Sequence, residues 1–371
     1  MIFAKKVRLY PTKEQEQKLW RAVGTARFIY NWTLARQEEN YKNGGKFIPD
    51  GTLRKEITQL KKTELAWLSN VSNNVSKQAV KDDCNAYKRF FKGLSGKPRF
   101  KSKKRSKKSF YNDNVKLKVK EGKLVNIEKI GWIKTNEQLP MNVKYSNPRI
   151  SYDNKYWYLS VGIEQEEIQE KLTNVSLGID LGLKNLAICS DGTVYKNINK
   201  THEVRKIEKR LKRLQKQVSK KYEKNKKGKE YVKTKNIIKL EKQIQQVHRR
   251  LSNIRKNHLH QTTTSIVKTK PYRIVIEDLA VSNMMKNKHL SDAIRKQGFY
   301  EFRRQIEYKC KFRGIELIVA DRFYPSSKTC SQCGEINKDL KLSDRVYKCS
   351  CGLIIDRDLN ASINLSKYKL A

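Results

Sequence analysis

Apolar positions come in two rhythms along this chain, and the rhythm changes several times. Residues 2–10, IFAKKVRLY, alternate roughly and predict a strand that Pro11 and Thr12 stop. Thr12 with Glu14 is placed to cap the next helix. From Lys13 to about Tyr41, Leu19, Trp20, Val23, Ala26, Ile29, Trp32 and Leu34 fall at helical spacing, until Lys42-Asn-Gly-Gly45 breaks the pattern. Two further helices are predicted over Leu53–Leu68 and Val75–Phe91. In the second, Val80, Cys84, Tyr87 and Phe91 make one stripe, and Lys77, Gln78 and Lys81 stand on its other face. Gly96–Phe110 is a dense basic run with two aromatics, containing Arg99, Lys101, Lys103 and Lys104; such runs are disordered or wrap phosphate. Val115–Gln165 then alternates like strands with turn signals between, which predicts a small antiparallel barrel or sheet. The first strand can join it, leaving the helices as an insertion.

The second half begins with residues 174–198, a strand, a tight connection and two more strands. Asp180 lies between Gly178 and Gly182, where backbone can approach a ligand closely. Val204 to about Lys221 and Lys235–His258 have apolar residues at steps of three and four, and a charged link joins them, predicting an antiparallel helical hairpin. PYRIVIEDL at 271–279 is a short buried strand ending in Glu277-Asp278. A helix from about Lys296 to Arg313 comes next, with Gly314 as its C-cap, and IELIVA is another buried strand. A final amphipathic helix starts at about Asp358, its stripe marked by Leu359, Ile363 and Leu370, with Ala361, Leu365 and Tyr368 alongside. Asp356 is well placed as its N-cap.

The chain has 371 residues, room for two or three units. Lys and Arg total 82 against 37 Asp and Glu, a formal charge of +45 spread over the whole length. A chain so charged repels itself unless a polyanion neutralises it, so nucleic acid is the natural partner. No window approaches 18 apolar residues and the N-terminus lacks a signal-like apolar run, which leaves no membrane role and predicts a soluble protein of a reducing, cytoplasmic compartment.

Of seven cysteines, Cys84, Cys189 and Cys310 are scattered and read as small buried apolar residues. Cys330/Cys333 and Cys349/Cys351 form two close pairs with 15 residues between them, able to close a tetrahedral site on one structural zinc. Gly334 and Gly352 allow the turns. The second pair is C-x-C, which leaves less room than C-x-x-C for a zinc knuckle. Four sulfurs leave no open position for catalysis. The acids form a second constellation: Asp180 in a strand, Glu277 at the end of a later one, and Asp358 at the start of the last helix. Mg²⁺ needs convergent oxygen ligands, and two such ions about 4 Å apart assist phosphodiester cleavage. Acids at those positions in so basic a chain fit an RNase H-like nuclease fold.

GIDLGLKNLA at 178–187, VIEDLA at 275–280 and FYPSSKTCSQCG…YKCSCGLIIDRDLNASIN at 323–364 resemble the transposon-encoded TnpB (OrfB) family, relatives of the type V CRISPR effectors. KVRLYPTKEQEQKL at 6–19 and GKPRFKSKK at 96–104 extend the likeness over nearly the whole chain. The resemblance implies a multidomain α+β protein. A wedge-like β-barrel comprises residues 1–10 and 105–170, and a helical recognition domain is inserted at 11–104. A RuvC-like nuclease domain spans 171–371, with a helical hairpin at about 200–260 and a zinc-binding insert at about 322–355. It implies an RNA-guided, metal-dependent DNA endonuclease that cuts beside a short transposon-adjacent motif. Asp180, Glu277 and Asp358 would be the catalytic ligands of two Mg²⁺ ions, and Cys330, Cys333, Cys349 and Cys351 the ligands of one zinc. Its partners would be a guide RNA from the transposon end, double-stranded target DNA and the transposase of the same element. A guided repressor that does not cut, and a transposase that joins strands, are the competing functions.

Overall fold

The computed structural model describes residues 2–166, 170–228, 230–341 and 344–369. The chain divides into two compact units, residues 1–165 and 166–371. Among the described residues no helix is long and apolar enough to cross a membrane.

In the first unit strand β1 (Ile2–Tyr10) is followed by helices α1 (Lys13–Lys42), α2 (Asp50–Leu60) and α3 (Asn73–Phe91). Six strands come next: β2 (Lys108–Tyr111), β3 (Lys118–Lys120), β4 (Leu124–Ile127), β5 (Gly131–Thr135), β6 (Tyr145–Tyr152) and β7 (Trp157–Glu164). All seven form one antiparallel sheet in the order β2-β6-β7-β1-β5-β4-β3. The alternation of β1 explains its place: Val7 and Leu9 point into the core with Ile133, Ile150 and Leu159, and Leu19, Val23 and Val75 of α1 and α3 cover them. A second apolar cluster, with Ile29, Leu53, Ile57, Val80 and Cys84, holds the helices to one another.

The N-cap of α1 is Thr12, but its reciprocal partner is Gln15, not Glu14: the residue three after the cap is the one whose amide reaches the cap hydroxyl. The helix predicted over 53–68 ends at Leu60. After Leu53 and Ile57 the helical repeat would turn Glu64 inward; instead the Leu65 amide donates to the Leu60 carbonyl at 2.8 Å. A short 3₁₀ turn, Ala66–Asn70, then seats Leu68 in the core.

The second unit is built on strands β8 (Thr173–Leu181), β9 (Asn185–Cys189) and β10 (Val194–Lys196), then helix α4 (His202–Lys224). The two-residue strands β11 (Lys226–Lys227) and β12 (Glu230–Tyr231) form its tip, and α5 (Lys235–Lys268) returns. After β13 (Pro271–Glu277) come helices α6 (Val281–Met284), α7 (Ser291–Gln297) and α8 (Phe299–Arg313), then β14 (Glu316–Ala320). The pair β15 (Val346–Lys348) and β16 (Ile354–Asp356) leads into α9 (Arg357–Ser366). The main sheet has the order β10-β9-β8-β13-β14, with β8, β13 and β14 parallel. Alternation sorts its two faces. Leu177, Ile179, Ile274 and Ile276 pack under α5 and α8, while Val275 and Ile318 pack with Leu365 of α9.

Two boundaries and one buried face differ from expectation. α5 runs ten residues past His258, because Leu259, Ile266 and Val267 are buried in the core of the main sheet and Thr263 against Gln305 of α8, and packing overrides the poor helix propensity of the threonines. The helix predicted from Lys296 to Arg313 is two helices, broken where Gly298 takes φ +75°, a left-handed conformation that suits glycine. In α9 the buried residues are Asn360, Ala361, Ser362, Asn364 and Leu365; Leu359 and Ile363 are half-buried and Leu370 lies outside the described residues.

Candidate active site

In the parallel pair β8/β13 the register puts Gly178 opposite Val275 and Ile179 opposite Ile276. Asp180 and Glu277 are therefore the next residues on the two strands, and both have the parity of the face that α9 covers. Gly178 shows how close that helix comes: a Cβ built there would stand 1.9 Å from the Ser362 carbonyl oxygen. Only a glycine lets α9 lie so near β8, and its N-terminus then delivers Asp358 to the same place.

The electrostatics arise from the crowding. Asp180 is half-buried, and burial, then the charges of Glu277 and Asp358, hold its carboxyl well above the usual carboxylate range; Arg357 offsets part of this. Burial pushes Glu277 up to about 7, against a hydrogen bond that the Leu181 amide donates to its Oε1 at 3.3 Å. Arg357 also donates to Asp358 at 3.3 Å, with both side chains mostly buried. Asp356 plays a different part: its carboxylate accepts from the amides of Asp358 and Leu359 at 2.9 and 3.1 Å, as an N-cap does. Asp278 is engaged by Arg303 and Arg322. Those arginines, with Glu277, Leu181 and Tyr300, line a cavity of about 330 Å³ beside the carboxylates.

The loop after Asp180 is pinned from two sides that sequence reading did not single out. The buried amide of Gln297 donates to the carbonyls of Gly182 and Asn185 at 2.8 and 3.2 Å, and Asn197 donates to Leu183 at 2.9 Å.

The four clustered cysteines come together. Their sulfurs all lie within 4.8 Å of one another, with Cys330 to Cys351 at 3.6 Å and Cys333 to Cys349 at 3.5 Å. Four sulfurs about 2.3 Å from a tetrahedral zinc stand about 3.8 Å apart, so this donor set fits a structural zinc. Gly334 and Gly352 take φ +82° and +91° and close the turns, so the C-x-C spacing does not prevent convergence. Among the described residues the three carboxylates do not draw as close together as the sulfurs do.

The basic candidates of the first unit divide. Lys77, Arg99, Lys103 and Lys104 are exposed and Lys81 is half-buried. Gln78 donates to Asp82 at 2.9 Å. Lys101 is turned inward, which departs from its reading as a phosphate contact: its backbone is held on Asn31 at 2.8 and 2.9 Å, and its ammonium sits 3.4 Å over the Tyr30 ring, in the field of Asp82 and Asp83. The buried Asp83 and the half-buried Asp82 supply the negative field that Lys101 meets.

Compared with known proteins, the chain is 33% identical to "Putative RNA-guided DNA endonuclease InsQ" of Escherichia coli K12, over 99% of this chain and 91% of that protein. It is 34% identical to "Putative RNA-guided DNA endonuclease" of Streptomyces pristinaespiralis, over 99% and 89%. The chain belongs to the TnpB (OrfB) family. Three family models match it: "Helix-turn-helix domain" at residues 1–46, "Probable transposase" at 159–288 and "Cas12f1-like, TNB domain" at 299–365. In this TnpB-family chain the described residues of the first span form β1 and α1 only. The last span contains the cysteines and Asp358. A Cas12f1 structure, solved as a complex with sgRNA and target DNA, shares the fold at 15% identity, covering 99% of this chain and 98% of that one, with a TM-score of 0.62.

Proposed function

We propose that this TnpB-family protein is an RNA-guided DNA endonuclease whose cutting centre is Asp180, Glu277 and Asp358. The observation that carries the reading is the meeting of these carboxylates at the ends of two adjacent strands and the start of a helix. Burial and mutual repulsion raise the proton affinity of Asp180 and Glu277 there. Carboxylates held like this need protons or cations beside them, and oxygen-only donors suit Mg²⁺. When bound, two such ions supply Lewis acidity at the scissile phosphate and a nucleophilic water at neutral pH. The chain's own residues orient and compensate. The Leu181 amide fixes one oxygen of Glu277, the Asp356 cap sets the first turn that aims Asp358, and Arg357 lends positive charge to Asp180 and Asp358.

The names of the relatives, the fold shared with a Cas12f1 captured on sgRNA and target DNA, and the charge of +45 support a guide RNA and double-stranded DNA as partners. Guided enzymes delegate sequence choice to base pairing, which asks of the protein a large basic surface rather than base-reading side chains. On this reading the cut falls beside a short transposon-adjacent motif, and the cysteine cluster holds one zinc. The layout is then a wedge-like barrel, a helical recognition domain and a RuvC-like nuclease domain, acting alongside the transposase of the same element. Lys77, Lys81, Arg99, Lys103 and Lys104 are the proposed nucleic-acid contacts of the first unit.

The test is to purify the protein with its co-purifying RNA and challenge it with a plasmid library bearing a randomised flank beside the guide-matched sequence. Linear products that share one short flanking motif support the reading. Binding without cutting would assign a guided repressor, and strand-joined products a transposase.

A further inference from the structure

The described residues contain two buried amide side chains whose partners lie some thirty residues earlier in the chain. Asn360 is 0% exposed and Asn364 4%, and they stand one turn apart on α9. The Asn360 amide donates to the Thr329 carbonyl at 2.7 Å and accepts from the Ser331 amide at 3.0 Å. Asn364 donates to the Thr329 and Ser326 carbonyls at 2.6 and 2.7 Å. A buried amide without partners is strongly unfavourable, so these bonds fix the segment to the helix rather than decorate it. The segment they hold runs straight into Cys330. Across the sulfur cluster, Cys351 is followed by β16, which ends in the Asp356 cap of the same helix.

The chain therefore makes a closed ring: Thr329, Cys330, across the cluster to Cys351, along β16 to Asp356, into α9 and back through Asn360 to Thr329. Asp358 sits on that ring, between the cap and the first asparagine. On its opposite side α9 is seated on β8 by the close approach at Gly178, and its last turn is held where Ser176 and Arg273 donate to the Ser366 carbonyl at 2.6 and 3.1 Å.

We infer that the four-cysteine clip, acting through Asn360 and Asn364, fixes where Asp358 stands relative to Asp180 and Glu277, so that both asparagines are positioning residues for the carboxylate centre. The inference rests on the reading of those three acids as a divalent-cation site. Its physical basis is that a carboxylate in the first turn of a helix moves with that turn, and the ring is what holds the turn.

The experiment uses the full-length protein with its RNA. Zinc per chain is measured by elemental analysis, guided DNA binding by filter retention, and Mn²⁺ binding by electron paramagnetic resonance as the difference from an Asp358→Ala particle. Asn360→Ala and Asn364→Ala are expected to keep zinc and guided binding while weakening Mn²⁺ by roughly 10- to 100-fold, the range for groups that orient metal ligands. Cys351→Ser, which opens the ring at the clip, should weaken Mn²⁺ similarly and add little to Asn360→Ala, since both cut one path. Wild-type Mn²⁺ affinity in the asparagine variants, or losses that simply add, would overturn the inference. Should Asn360→Ala fail to fold, Asn364→Ser applies the same test with a smaller polar side chain. If Asp358→Ala itself binds as much Mn²⁺ as wild type, the cation-site reading fails; if it does not and the asparagine variants do, only the positioning role fails.

Discussion

Asp356 and Asp358 stand two residues apart and have different tasks. The first is bonded to the helix it starts, so Asp356→Ala should cost about 1 kcal/mol of stability and some rate. Asp358→Ala should abolish cleavage while guided binding survives, as should Asp180→Ala and Glu277→Ala; single-turnover cleavage in Mg²⁺, with binding followed separately, checks this. Full cleavage by Asp358→Ala beside a dead Asp356→Ala would reverse the assignment. Asp83 gives a prediction of another kind. Its carboxyl is fully buried in the first unit, and burial pushes it up to about 7 from an ordinary 3.8, against the pull of Lys101 and Tyr30. Between those values the folded chain keeps a proton that the unfolded chain has lost, so stability falls as pH rises from about 4 to about 7 and is level above. Asp83→Asn should therefore stabilise at pH 8 by about 1–3 kcal/mol, with the gain shrinking towards pH 4, read as urea midpoints across pH. The acids of the candidate centre were legible because glycines and strand ends flag them. Asn360 was not, since an asparagine on a helix reads as solvated until a loop thirty residues earlier buries it. Lys101 misleads for a similar reason: its neighbours in sequence are exposed lysines, and its acid partners come from another helix.

At the scale of elements, periodicity located the long helices and the strand regions of the two main sheets; the short α6, α7, β11, β12, β15 and β16 were not foreseen, since so few residues show no period, and the other differences fall where a tertiary contact decides. The threonine-rich end of α5 is helical only because the sheet lies beneath it, and α7 and α8 separate at a left-handed glycine. The seating of α9 on β8 depends on one missing side chain. Gly178→Ala would put a methyl carbon 1.9 Å from a backbone oxygen, so the helix must shift. A loss of about 1–3 kcal/mol is expected, with cleavage lost out of proportion to stability because Asp358 moves too; thermal melting beside single-turnover rates checks it. The cysteine clip is the other element that packing alone does not hold. Replacing Cys330 and Cys333 with Ser should lower zinc content and open residues 325–355 to proteolysis, whereas unchanged metal content would remove the zinc assignment.

For the whole molecule the dominant quantity is charge. At +45, protein stripped of RNA should aggregate and lose targeted cutting, and binding of nucleic acid should weaken steeply between 50 and 200 mM salt, by about a thousandfold or more if six phosphates are contacted. Equal cutting of the same site by RNA-free protein would overturn the guided reading. The sheet of the first unit has a consequence for how the chain is made. β1 lies between β7 and β5, and its register with β7 runs from Ile2 opposite Glu164 to Leu9 opposite Trp157. On a ribosome adding roughly 5–20 residues per second, that strand waits on the order of ten seconds or more for its partner. Throughout that interval it is an unpaired edge, open to pairing with any other nascent chain on the same message. Lys5, Lys6 and Arg8 give it the charge that keeps such edges apart. The same three residues, once the sheet has closed around them, no longer have that task.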